Sequence, residues 1–133
     1  MKKLSTQAQQ ELEVLTQARR KVDRLHSLVE QYAAMKKGQD AYAALIARAA
    51  TELGRLLLLN GMGVMADSAN QLAMLAKRGG ATQGKIRGLR EYVANLRPAV
   101  ERAEKAVHER EASIGRVSER VVPQAGENVK RET

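Results

Sequence analysis

One run constrains the fold more than any other part of this chain: Leu53-Gly54-Arg55-Leu56-Leu57-Leu58-Leu59-Asn60-Gly61-Met62-Gly63-Val64-Met65. It is the densest apolar stretch, and an Asn-Gly pair cuts it in two. A helix entering at Asp40 carries Tyr42, Leu45, Ile46, Ala49, Leu53, Leu56 and Leu57 on one stripe, at spacings of three and four. Gly61 can then close it, because a residue without a Cβ enters the left-handed region at little cost. A further helix resumes near Gly63 with Met65, Ala69, Leu72 and Ala76 on its stripe. The pattern predicts a tight helical hairpin. Four leucines in one turn leave little of it polar, so the hairpin's corner is expected deep in the core.

The flanking segments are helical too. Residues 5 to 37 read as one amphipathic helix in which Leu15, Ala18, Val22, Leu25, Val29 and Tyr32 form a heptad seam, widened by Leu12, Leu28 and Met35. Gly38 is expected to end it and Asp40 to cap the next helix, which runs to Leu59. A third helix spans Met62 to Arg78, Gly79-Gly80 breaks the chain, and Thr82 is a natural N-cap. The last segment keeps its heptad through Ile86, Leu89, Val93, Leu96, Val100, Ala103, Val107, Ile114 and Val117. Pro98 falls inside it. Proline removes one hydrogen bond and crowds the preceding turn, but the seam stays in phase across it, so a kink rather than a break is expected.

Composition agrees. Aromatic residues make up 2% of the 133, with no Phe or Trp, so the interior must be aliphatic and alanine-rich, which suits close-packed helices. The expected fold is all-α, a bundle of four or five helices with a long kinked C-terminal helix. Residues 1–122 are expected to form a single domain and 123–133 a polar, disordered tail. With no cysteine, disulfides and thiolate metal sites are excluded. The residues after Met1-Lys2-Lys3 are polar where a secretory leader would be apolar, and no apolar run approaches the roughly 20 residues of a membrane helix. A cytoplasmic protein without membrane contact is expected.

The sequence supports no catalytic centre. The serines Ser68, Ser113 and Ser118 lack a nucleophile-elbow motif, and Gly61-Met62-Gly63 follows no strand and lacks the third glycine of a dinucleotide loop. Asp23, His26 and Glu30, and likewise Glu104, His108 and Glu111, share helical faces, but these lie off the seam, toward solvent. We therefore expect neither an enzyme, nor a metal, nor a cofactor, nor a small-molecule substrate.

The basic residues say more. The formal net charge is +8, which favours polyanionic partners. Between Lys77 and Arg97, the cations Lys77, Arg78, Lys85, Arg87, Arg90 and Arg97 face the single acid Glu91. Arg87, Arg90 and Arg97 recur on one face of the last helix, and Lys77-Arg78 adjoin its start, where free amides attract anions. Arg20 and Arg24 belong to a second cluster on the first helix, and Arg48 and Arg55 share a face of the second. With no aromatic platform, base stacking is not expected, and contact with nucleic acid is expected along the phosphate backbone, without sequence readout. The competing expectation is a helical adaptor or chaperone that binds proteins through exposed heptads.

The central stretch also resembles the small-subunit family of type III-B CRISPR RNA-targeting effector (Cmr) complexes. That family places Leu-Pro at the start of an apolar turn and Gly-Leu seven residues after the proline. Leu53-Gly54 and Gly61-Met62 stand at the same interval, with Tyr42 upstream and Lys77-Arg78-Gly79 at the end of the next helix. Gly54 stands where the family prefers proline, and Asp67 and Ser68 where it prefers a small residue and an aromatic. The resemblance covers about a quarter of the chain. It implies an antiviral-defence role: a non-catalytic protein that self-associates in copies beside other subunits of a complex, bound to RNA rather than DNA.

Overall fold

The computed structural model describes residues 4–121, with side chains as far as Ile114; the expected tail lies outside the described residues. Four helices account for nearly all of it: α1 (Thr6–Ala34), α2 (Gln39–Leu59), α3 (Gly63–Lys77) and α4 (Gln83–Val121). Each packs on its neighbours in the order α1–α2–α3–α4–α1, and among the described residues the backbones of the diagonal pairs stay apart. The fold is an all-α bundle of antiparallel neighbours joined by short loops.

The ends of the helices follow from local chemistry. Ser5 caps α1, its hydroxyl accepting the Ala8 amide at 3.1 Å. At the end of α2, Met62 N–H donates to the Leu57 carbonyl and Gly61 N–H to that of Leu58, while Gly61 takes a φ of 76°. This is the Schellman closure that the Asn-Gly pair foreshadows. Thr82 caps α4 through the Lys85 amide, as its sequence position suggests. The α1–α2 turn differs from expectation. Helix α1 stops at Ala34, and Gly38, at φ 76°, directly precedes α2, so Asp40 lies inside the first turn instead of capping it. There it still faces the positive end of the helix dipole.

The core is aliphatic, as composition requires. Leu15, Leu25, Ile46, Leu53, Leu57, Leu72, Leu89 and Leu96 are sealed from water, and Tyr32 is the one aromatic among the fully buried side chains. The leucine run does not behave as expected. Leu53 and Leu57 are buried, but Leu58 and Leu59 are 62% and 77% exposed, and Val64 across the turn is 84% exposed. Helix α2 touches only α1 and α3, so one side of it faces solvent, and four successive residues sweep most of the way around a helix. The corner of the hairpin is an exposed apolar tip, not a buried one.

Helix α4 continues unbroken through Pro98, with Leu96 and Val100 buried on either side, so the seam stays in phase. Ala94, whose carbonyl loses its amide partner to the proline, is exposed to water. Helix lengths explain the outline. At 1.5 Å per residue, α2 and α3 are about 32 and 23 Å long, against about 44 Å for α1 and 58 Å for α4. Tyr92 opposite Gln71 and Gly88 against Leu75 bring Gly63 level with Val100. Beyond that level α1 and α4 continue as a two-helix arm, joined by Arg110 to Glu11 and by the Ser5 amide to Glu111 at 2.9 Å. No described helix is long and apolar enough to cross a membrane.

Candidate nucleic-acid interface

The ten cations singled out in the sequence divide into three groups according to what the neighbouring helix offers them. The first group is neutralised. Arg90 holds both carboxylate oxygens of Glu30, at 2.8 and 2.9 Å, and Arg97 reaches Asp23 at 2.9 Å. Further along the same seam, Arg19 pairs with Glu104 and lies 3.7 Å from Glu101. These contacts leave their mark on protonation. The hydrogen bond from Arg90 holds the Glu30 carboxyl below the ordinary glutamate value, and Glu30 in turn raises Arg90. The acids that shared helical faces with His26 and His108 are thereby taken up: Asp23, Glu30 and Glu104 by arginines, and Glu111 by a backbone amide.

The second group is a single residue turned inward. Lys85 is 7% exposed; its ammonium donates to the carbonyls of Arg78 and Gly80 and lies 5.4 Å from the centre of the Tyr32 ring. Tyr32 completes the knot, its hydroxyl donating to the Gly80 carbonyl at 3.4 Å. Lys85 therefore fastens the α3–α4 loop to the end of α1 and is not a surface cation. The free amides expected at the start of α4 are partly used as well, since Thr82 takes those of Lys85 and Ile86.

The third group stays unpaired among the described residues: Arg20 and Arg24 on the outside of α1, Arg87 on α4, and Arg78, Arg48, Arg55 and Lys77. Three of these converge. Arg48 and Arg55, seven residues apart and thus on one face of α2, line a groove of about 490 Å³ that Lys77 closes from the last turn of α3. The floor is Ala44 and Ala47; Thr51 turns its hydroxyl to the Ala47 carbonyl at 2.8 Å, and Glu52 is the one carboxylate on the rim. Small residues build this groove. Alanines at 43, 47 and 50 of α2 and at 66, 69, 73 and 76 of α3 are buried, and a Cβ on Gly54 would come within 2.5 Å of the Asn70 side-chain oxygen. Helices that approach this closely leave their long basic side chains no room except outward.

In the sequence Arg48 and Arg55 share one helical face, while Lys77 belongs to a separate cluster with Arg78. Only the antiparallel pairing of α2 with α3 brings the last turn of one beside the first half of the other. The chain matches no known protein-family model, no curated protein and no solved structure.

Proposed function

We propose that this protein is a non-catalytic helical subunit of a larger assembly that holds the phosphate backbone of a nucleic acid along its α2–α3 groove. The observation that carries the reading is the convergence of Arg48, Arg55 and Lys77 on one groove with no carboxylate partner among the described residues. Burying or pairing a charge elsewhere in this bundle is evidently feasible, as Lys85 and Arg90 do it, so cations left open suit a partner outside the chain. Such a groove grips phosphate oxygens but offers no groups that distinguish bases, so binding is indifferent to sequence. The resemblance at Leu53 to Met65 supports RNA as the polyanion and a CRISPR-type effector complex as the assembly.

Fluorescence anisotropy with two unrelated single-stranded oligonucleotides tests this. Both should bind alike, with dissociation constants of about 10⁻⁴–10⁻⁶ M at physiological salt, weakening as salt rises. Failure of the unaltered protein to bind either at low salt would reject the reading. A second reading, a protein-binding adaptor, would then stand in its place. It is favoured by the exposed tip of Leu58, Leu59 and Val64, which a partner protein could cover.

A further inference from the structure

A second groove, of about 510 Å³, runs along the seam between α3 and α4, and the cations of the α2–α3 groove take no part in it. It exists where α4 presents Gly84 and Gly88 to the seam. The two glycines differ. A Cβ on Gly88 would stand 2.7 Å from Leu75 Cδ2, so the tip of Leu75 packs down onto this one. A Cβ on Gly84 would meet nothing nearer than the Thr82 hydroxyl at 3.9 Å, so the space above it is open. From Gly84 to Asn95 the groove follows α4 for about 16 Å.

The chemistry changes along that length. Arg78 stands at the upper end, with no carboxylate partner among the described residues. Met74, 67% exposed, and the half-buried ring of Tyr92 form the wall. The lower end is polar. There the Tyr92 hydroxyl donates to Gln71 Oε1 at 3.2 Å, which leaves the Gln71 amide nitrogen free to donate and the phenol oxygen free to accept. Asn95 and Glu91 line the same stretch. The aromatic platform that the sequence did not reveal is thus Tyr92, framed by a cation on one side and amides on the other.

A guanidinium binds phosphate through two parallel hydrogen bonds. A thioether and a phenol ring together suit a flat, polarisable ring. A carboxylate beside amides receives an exocyclic amino group, because Glu91 can only accept when ionised. We infer that the α3–α4 groove binds a nucleoside monophosphate, free or as one unit of a single strand, with phosphate on Arg78, base against Met74 and Tyr92, and the base's amino group toward Glu91. The inference uses none of Arg48, Arg55 or Lys77, so it stands or falls separately from phosphate tracking on α2–α3.

Amide NMR spectra of the full chain, titrated with AMP, UMP, adenosine and inorganic phosphate, test it. AMP should shift the Gly84, Gly88 and Tyr92 amides saturably, and UMP, which lacks the amino group, less tightly. Adenosine should bind about tenfold more weakly than AMP, as expected on losing one charge-assisted contact. A Cβ at position 84 meets open space, and Gly84→Leu replaces glycine by a better helix former whose side chain enters the groove, so it should fold at least as well yet lose AMP by about tenfold or more. Its binding to long oligonucleotides through α2–α3 should be unchanged. If an adenine hexanucleotide moves the same amides, the site takes a unit of a strand; if AMP alone does, it takes the free nucleotide. No saturable shift at these amides below about 10 mM AMP, or equal AMP affinity in Gly84→Leu, would overturn the inference.

Discussion

The α1–α4 pair and the α2–α3 pair solve the same packing problem in opposite ways. Helices α1 and α4 bury large residues, Leu15, Val22 and Leu25 on one and Leu89, Val93 and Leu96 on the other, and they flank that seam with arginine–carboxylate pairs. Helices α2 and α3 are rich in buried alanines and approach closely at Gly54, with no ion pair between them among the described residues. One pair thus spends its charges internally, and the other leaves them on the surface. Basic faces that look alike on a helical wheel differ in what they can bind, because the neighbouring helix decides whether a carboxylate stands opposite.

The largest effects should come from packing at the α2–α3 pair. Leu57→Ala removes a fully buried side chain and should cost about 2–5 kcal/mol, whereas Leu58→Ala, one residue on and mostly exposed, should stay within about 0.5 kcal/mol. Chemical denaturation of the two variants checks both. Equal losses would mean that the tip is buried and the picture of an exposed corner is wrong. Next in size is overpacking. Ala50→Leu adds bulk where α2 has no exposed surface, and a penalty of about 1–3 kcal/mol in the same assay is expected. A neutral result would mean that α2 and α3 do not approach as closely as their alanines imply.

Smaller still is the response of the α1–α4 seam to acid. Glu30 has its folded value lowered by Arg90, so its contribution is complete above the ordinary glutamate value of 4.5 and is lost as pH falls through the folded value. Both partners are largely solvated, so the effect should be modest. Between about pH 7 and about pH 3 the urea midpoint should fall, and Glu30→Gln should fall by less because it has no proton to take up. An identical fall in both proteins would show that this pair contributes nothing to stability.

How far the sequence could be read follows the same division. Helical periods, the Schellman glycine, the Thr82 cap and the phase across Pro98 are local, and local chemistry was enough to place them. What the sequence did not show depends on the neighbour. Arg90 and Arg97 read as an open basic face until α1 sets Glu30 and Asp23 against them. Lys85 reads as a surface cation until Tyr32 and the α3–α4 loop fold over it. The leucine run reads as core because four apolar residues suggest four neighbours, but a helix in a ring of four has two. In the other direction, Lys77 and Arg48 are distant in sequence, and only the hairpin brings them to one groove.

The central claim is that the unpaired cations of α2–α3, not the paired ones of α1–α4, hold a polyanion. Its most direct test is a pair of double variants, Arg48→Ala with Arg55→Ala and Arg90→Ala with Arg97→Ala, compared by the dependence of oligonucleotide affinity on salt. Each phosphate contact with a single strand contributes roughly 0.7 to the slope of log affinity against log salt. Loss of Arg48 and Arg55 should flatten the slope by about 1 to 2 units and weaken unrelated sequences equally, while loss of Arg90 and Arg97 should leave the slope within about 0.3. The reverse result, with the α1–α4 variant losing the slope and the α2–α3 variant keeping it, would contradict the account.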